Sequence, residues 1–390
     1  VKFTIVGGGP AGLWFGLLMK KRDPALEVEV LERNVAGATF GFGVVFSRKT
    51  TSILEGCDAE AFRRAEEQLQ TWDNVDVVHR GRRITIRGNH FAGVARIEWL
   101  RVLQTRAREV GVALRFEHDV ADAAALRELK NECDVLVGAD GVASLVRDTW
   151  KERFEPTLDA RSNRYIWLGT KRLFHGLTLI FKSAPAGLCM AHAYKFSRDT
   201  STFIAELPET TWRAAGLDRA DEAGTLAYLE EVFADDLGGA RLISNRSRWI
   251  QFLLVKCRRW VHENVVLLGD AAHTAHFSIG SGTKLAMEDA IALYESFAPE
   301  TGVKSGAATR DAAGALARFE RTRKPVVDEY QEAAYSSTLW FEGASSKLAL
   351  DPVPFAFDCM TRSGKIDLEN LRRRDPAFVA QYEEWRARAS

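Results

Sequence analysis

Three strings in the 390-residue sequence place glycines and carboxylates where a nucleotide could be held. Gly7-Gly8-Gly9-Pro10-Ala11-Gly12 has GxGxxG spacing, and Glu32 stands twenty positions beyond its third glycine. In such a turn Gly7 permits the tight reversal, Gly9 lets a pyrophosphate approach the backbone, and Gly12 lets the following helix pack closely. The helix N-terminus then stabilises phosphate charge, and Glu32 is suited to accept hydrogen bonds from ribose hydroxyls. A bare glycine string is also compatible with an ordinary turn, and the motif does not separate FAD from NAD. Asp140-Gly141, with Ser144 and Arg147 after it, is a second acid-and-glycine string. Gly269-Asp270-Ala271-Ala272-His273, followed by Gly280, Gly282 and Glu288-Asp289-Ala290, is a third.

These strings need elements to position them. Residues 3–6 read as a short buried strand, and residues 11–22 as a helix with Leu13, Trp14, Leu17 and Leu18 on one face. Residues 27–32 read as a second strand, a βαβ order that predicts a parallel, doubly wound sheet. A helix follows Arg96, with Ile97, Leu100, Leu103, Ala107 and Val110 at helical spacing, and leads to a strand at 113–116. Residues 134–139 and 264–268 are further apolar runs of buried-strand type, each ending in a turn with Asp and Gly. Between them lie β-type segments at 165–170, 177–181, 191–196 and 201–207, which predict a separate antiparallel sheet. The pattern turns helical over 284–297 and 311–341.

The fold class predicted is therefore α/β, a Rossmann-like dinucleotide-binding domain with an inserted antiparallel-sheet substrate domain and C-terminal helices. Residues 1–71, 96–160 and 259–300 form the nucleotide part, 72–95 and 161–258 the substrate part, and 301–390 the helical region.

Composition narrows the function. Fifty-three Lys plus Arg balance 53 Asp plus Glu, so overall charge calls for neither nucleic acid nor an anionic membrane. Cys57, Cys133, Cys189, Cys257 and Cys359 lie far apart, giving no disulfide framework and no CxxC pair. No apolar run reaches the ~18 residues of a membrane span, and the sequence opens on a strand rather than a leader, which together predict a cytoplasmic protein. His273-x-x-His276 has no third ligand at metal-site spacing, so no metal is expected. The later GxG runs at Gly41 and Gly280 lack a third glycine, which with the cysteine spacing argues against a dinucleotide disulfide reductase. A serine-elbow GxSxG is missing as well.

Taken in order and separation, the three strings resemble the signatures of the group A flavoprotein monooxygenases, of which para-hydroxybenzoate hydroxylase is representative. Asp140-Gly141 looks like the family's DG motif and Gly269-Asp270 its GD motif. Phe319-Glu320-Arg321-Thr322-Arg323-Lys324-Pro325 is similar to its late helix signature. The resemblance implies FAD as cofactor, NADH or NADPH as reductant and O2 as co-substrate. It implies that Asp270 bonds the ribityl chain and that Gly280, Gly282, Thr283 and Lys284 face the isoalloxazine. It likewise implies that Arg96 reaches the phosphates or flavin and Arg33 the adenosine, with Asp140 and Val120 in the cofactor-binding set. Phe277 and the adjacent His276 depart from the family, many members of which carry proline at the first position.

The strings at 40–47, 165–170, 194–204 and 273–284 resemble the salicylyl-CoA 5-hydroxylase branch over residues 1 to about 345. That likeness implies hydroxylation of a ring para to a phenol, salicylyl-CoA to gentisyl-CoA, through a C4a-hydroperoxyflavin. Anthraniloyl-CoA or a free salicylate-like acid is the alternative substrate. A flavin-dependent halogenase would carry WxWxIP, which is missing, and a non-catalytic flavin-binding protein would keep the fold without turnover. A group must draw the phenol proton, and the candidates are His192 and Tyr194, on one face of an apparent strand, and His276. Each is equally compatible with a packed core or rim residue. A CoA tail would need cations, and Arg161, Arg164, Lys171, Arg172, Lys195, Arg246, Arg248, Arg258 and Arg259 crowd the second domain. An ordinary solvated surface explains them as well.

Overall fold

The computed structural model describes residues 1–39, 41–280, 282–298 and 311–389. Phe40 and Ser281, which belong to two of the strings above, lie outside the described residues.

A six-stranded sheet forms the first layer, in the order Val261–His262, Val265–Leu267, Val135–Gly138, Lys2–Val6, Glu27–Leu31 and Ala113–Arg115. All neighbours run parallel except the first pair. Its central strands are almost wholly apolar because helices cover both faces. The register decides where the chemistry falls. Val6 pairs with Leu31 and with Gly138, and Gly138 pairs with Leu267. Four strands therefore end at one edge, and each passes there into a turn carrying one of the strings: Gly7, Glu32, Asp140 and Asp270.

Helix Pro10–Arg22 starts with proline in its first turn, where a missing N–H costs nothing, and ends on Lys20, Lys21 and Arg22, which complement its C-terminal dipole. Its residues from Ala11 to Met19 are all buried, so it lies between the sheet and helices Arg96–Glu109 and Gly282–Ser296 rather than on the surface. Burying side chains such as Trp14 and Leu17 contributes about 1.5–3 kcal/mol each.

The second sheet has eight strands. Its path runs Leu242–Ile243, Pro156–Thr170, Ser201–Leu207, Gly187–Lys195, Leu177–Ala184, Val75–His79 and Arg82–Ile86, with Ile250–Cys257 also paired to Pro156–Thr170. It departs from the expected antiparallel sheet at one place, because Leu177–Ala184 and Val75–His79 run parallel. The 15-residue strand Pro156–Thr170 continues across residue 160, the expected end of the nucleotide part, with a bulge between Ala160 and Arg164. Helices Glu209–Ala214, Glu222–Val232 and Ala234–Leu237, unexpected in this region, cover one face of the sheet through Leu217, Leu229, Phe233 and Leu237. A small sheet of Gly43–Ser47, Phe91–Ala95 and Gln70–Trp72 meets the second sheet at Tyr194, which donates to Gly43 O and stacks on Trp72.

The 31-residue helix Ala312–Glu342 joins the cores. Ala315, Leu316, Phe319, Val327 and Ala334 pack on the first, while Trp340 and Phe341 belong to the second. Helices Pro352–Thr361, Leu368–Arg374 and Pro376–Ala389 follow, and Phe355, Cys359, Leu371 and Phe378 pack with Val77, Phe181 and Met190 of the second sheet. Among the described residues, no helix is long and apolar enough to cross a membrane.

Candidate functional site

At the common strand edge the glycines of the first string divide by what surrounds them. A Cβ on Gly12 would lie 2.2 Å from Gly7 O, and one on Gly7, whose φ is +110°, would lie 2.2 Å from Ala139 O. Both are required by the close approach of loop, helix and sheet. A Cβ on Gly9 would meet nothing within 4 Å, so Gly9 leaves an open face at the N-terminus of helix Pro10–Arg22. That helix has no side-chain cap and no acid in its first turn, so its free amides suit an anionic group. Glu32 Oε2 accepts from Gly8 N at 2.8 Å, and Oε1 accepts from Asn34 N and Nδ2 at 2.8 and 2.6 Å, which orients the carboxylate over the loop. Arg33 is exposed beside it, while Val120 packs half-buried on the first core.

The second string folds back on itself. Asp140 accepts from Ser144 Oγ at 2.6 Å and Val146 N at 3.1 Å, and burial pushes its carboxyl above the usual range. Arg147, almost fully buried, donates to Val142 O at 2.9 Å and to Ala271 O at 3.4 Å, tying the second string to the third.

Asp270 follows the strand Val265–Leu267 and lies in the third string with its side chain open to solvent, although protein encloses it on its other sides. Burial in that cleft wall pushes its carboxyl up, offset in part by His273 and Arg96. Arg96 is enclosed at the start of its helix, and burial lowers its ordinary value against the pull of Asp270 and Tyr194. Its Nε is buried without a hydrogen-bond partner. An orphaned guanidinium nitrogen, a reachable carboxylate, and the open faces at Gly9, Gly280 and Gly282 together fit the phosphates, ribityl chain and ring of FAD. Gly282 opens helix Gly282–Ser296, and Thr283 stands half-buried in its first turn. Lys284, two residues into the same helix, has Nζ 3.4 Å from Glu288 Oε1 and 3.9 Å over the Tyr330 ring.

Behind the third string Asp289 is completely buried. It accepts from His273 Nε2 at 2.6 Å, Arg323 Nε at 2.7 Å and Gly269 N at 3.1 Å. Burial opposes its ionisation, but His273 and Arg323 outweigh that and hold the carboxylate below its usual range. The late-helix arginine thus braces the turn that presents Asp270.

The aromatic side of the site lies between this turn and the second sheet. Phe277 packs on Tyr165, Trp167, His192 and His276 with ring centroids 4.7, 6.0, 5.1 and 4.1 Å away. His192 and Tyr194 do share one face of strand Gly187–Lys195, but their partners differ. Tyr194 donates to Gly43 O at 2.9 Å and stacks on Trp72, and burial pushes its phenol well up. His276 Nδ1 accepts from Ser278 N at 3.3 Å, so the neutral ring carries its proton on Nε2. Burial pushes this imidazole down to about 4.

His192 Nε2 lies 2.8 Å from Glu206 Oε2, and Asn163 Nδ2 donates to Glu206 Oε1 at 2.7 Å. Burial opposes the charge on Glu206, yet His192, His276 and Asn163 hold it below the usual carboxylate range. The carboxylate of Glu206 can only accept here, so His192 donates from Nε2 and its Nδ1 is left as the accepting nitrogen. Glu206 was not among the candidate residues. Its signal was an acid inside the otherwise apolar string 203–207, two positions beyond Ile204, the register partner of His192.

Most of the nine basic residues of the second domain have acidic partners. Arg161 pairs with Asp159 and Glu342, Arg164 with Glu209, Lys171 with Asp199, and Arg258 and Arg259 with Glu155. Arg246 and Arg248 are exposed on a loop tied to the site by Ser247 Oγ on Trp167 O and Asn245 Nδ2 on Gly41 O. Among the described residues, no three His, Cys, Asp or Glu side chains group as metal ligands.

Comparison with known proteins fixes the family and the fold. The FAD binding domain family model matches residues 1–334. A salicyloyl-CoA 5-hydroxylase from Streptomyces sp is 40% identical over 99% of this chain and 74% of its own length. A 3-hydroxy-4-methyl-anthranilyl-(aryl-carrier protein) 5-monooxygenase from Streptosporangium sibiricum is 34% identical over 95% of this chain and 97% of its own. The tetrameric form of 2-methyl-3-hydroxypyridine-5-carboxylic acid oxygenase shares the fold, with a TM-score of 0.69 at 20% identity over 96% of this chain and 97% of that one. With the match running unbroken from the glycine turn into the long helix, the chain belongs to the FAD binding domain family, among its FAD-dependent aromatic monooxygenases.

Proposed function

We propose that this monooxygenase hydroxylates the ring of a salicyl-type thioester at the carbon para to its phenol, converting salicylyl-CoA to gentisyl-CoA. The observation that carries this reading is the 40% identity to a salicyloyl-CoA 5-hydroxylase across 99% of the chain. FAD, when bound, supplies the two electrons taken from NAD(P)H and the activation of O2 that amino-acid side chains lack.

The chain's own residues bind, orient and exclude. Gly7, Gly9 and Gly12 with the first-turn amides hold the pyrophosphate, Glu32 the ribose, Asp270 the ribityl chain, and Arg96 adjacent negative charge. The rings of Phe277, Tyr165 and Trp167 form an apolar wall that keeps water from the reacting carbon. His192 Nδ1 draws the phenol proton, which pushes electron density toward the carbon attacked, and Glu206 stabilises the imidazolium that forms. Arg246 and Arg248 are placed to meet the phosphates of the thioester tail.

An aryl group carried on a protein-bound thioester is a second reading, favoured by the 34% relative. The test is NADH oxidation with salicylyl-CoA, anthraniloyl-CoA and free salicylate side by side, with the products identified. Acceleration by salicylyl-CoA with gentisyl-CoA formed is expected, and acceleration by the free acid alone overturns the thioester reading.

A further inference from the structure

The turn Phe277–Ile279, which carries Phe277 and leads to Gly280 and helix Gly282–Ser296, is held from behind by parts of the chain that follow residue 334, where the family match ends. Arg362, just after helix Pro352–Thr361, donates from Nη2 to Ser278 O at 2.7 Å and from Nε to Ser337 Oγ at 2.9 Å. Its Nη1 donates to Cys359 O, which fixes the guanidinium to its own helix end, and the group lies 5.2 Å from the Phe341 ring centroid. Ser337 Oγ in turn lies 2.8 Å from Ser278 Oγ. One planar cation thus bridges the C-terminal helices, the long helix and the turn, using donor directions that a lysine does not have.

We infer that Arg362 is a positioning residue of the active site, a latch by which the C-terminal segment sets the conformation of the turn bearing His276 and Phe277. The Ser278 carbonyl belongs to the peptide that immediately precedes Ile279 and the left-handed Gly280. Fixing that oxygen limits rotation of the turn, and with it the seating of Phe277 against Tyr165 and His192. A loosened turn opens the apolar wall to water, so reducing equivalents are lost to hydrogen peroxide instead of product. The part of this inference that concerns coupling rests on the function proposed above, whereas the latch itself does not.

The test uses the full chain with Arg362→Lys, Arg362→Ala and Ser337→Ala. Hydrogen exchange of the peptide spanning residues 274–283, measured without flavin, is expected to quicken about tenfold in Arg362→Ala and less in Ser337→Ala, while the core strand 135–138 is unchanged. With FAD and salicylyl-CoA, the fraction of NADH oxidation that yields product is expected to fall at least about threefold in Arg362→Lys, and millimolar guanidinium is expected to restore it in part in Arg362→Ala. Native exchange at 274–283 in a folded Arg362→Ala overturns the latch. If Arg362→Ala does not fold, native exchange in both Arg362→Lys and Ser337→Ala overturns it equally. Should no aromatic thioester stimulate NADH oxidation, the proposed substrate fails while the exchange measurement still decides the latch.

Discussion

Glu206 and His192 stand one diagonal step apart on neighbouring antiparallel strands, with Glu206 Oε2 2.8 Å from His192 Nε2 and both side chains almost wholly buried. Asn163 Nδ2 occupies the other carboxylate oxygen, so the pair has a fixed orientation. Glu206→Gln keeps the volume and removes the charge. It is expected to lower kcat/KM for hydroxylation about 10²-fold, the ordinary worth of positioned proton transfer. Native kcat/KM in the variant would take this pair out of the proton path.

The buried His276 gives a stability prediction with a definite sign. Its imidazole is pushed down to about 4, below the ordinary value of about 6.5, so the unfolded chain binds the extra proton first. Stability attributable to this group is intact above about pH 6.5 and falls as pH drops toward 4, by up to about 3 kcal/mol. Thermal melts from pH 7 to 4 are expected to show a smaller loss in His276→Gln than in the native chain. Parallel curves would mean that the ring is readily protonated in the folded state.

Gly9 and Gly12 separate cofactor binding from folding. Gly12→Ala puts a methyl 2.2 Å from Gly7 O and is expected to cost the apo protein at least about 1–3 kcal/mol. Gly9→Ala has open space and an ordinary φ of −77°, so the apo melting temperature should hold while FAD affinity falls about tenfold or more. Titrating FAD by flavin fluorescence, alongside apo melts, checks both. Equal FAD affinity in Gly9→Ala would move the pyrophosphate elsewhere.

Asp289→Asn leaves Arg323 and His273 buried against a neutral amide. A loss of about 1.5–3 kcal/mol is expected, because Arg323 keeps Glu288 but loses its charge-assisted bond to the buried carboxylate. Chemical denaturation measures it, and a loss below about 1 kcal/mol would mean that the cluster relaxes into solvent.

The flavin-holding half of the molecule was legible because its signals are local. Gly7 to Gly12, residues 134–139 and residues 264–268 each join a buried strand to a turn within a few positions, and parallel pairing brings their ends together. The partners of Lys284 were half legible, since Glu288 stands one helical turn on whereas Tyr330, whose ring lies under its ammonium, comes from the long helix. Glu206 was hidden because its partners, His192 and Asn163, lie 14 and 43 residues away and only sheet register joins them. Helices Glu209–Ala214 and Glu222–Val232 escaped notice for a related reason. The second has polar and apolar residues without a clear stripe, and it is packing on the sheet that selects Leu229. The segment after Asp351 gave no hint of Arg362, whose partner Ser278 is 84 positions earlier.

The helix Ala312–Glu342 spans roughly 46 Å at 1.5 Å per residue and is anchored in both hydrophobic cores. A strut of that kind resists any rocking of one layer against the other, since such movement would have to bend it. Pro325, its interior proline, sits in the half fastened to the flavin layer and so offers no hinge between the layers. A change in the spacing of the two layers would therefore have to unseat Phe319 and Val327 from one core or Trp340 and Phe341 from the other.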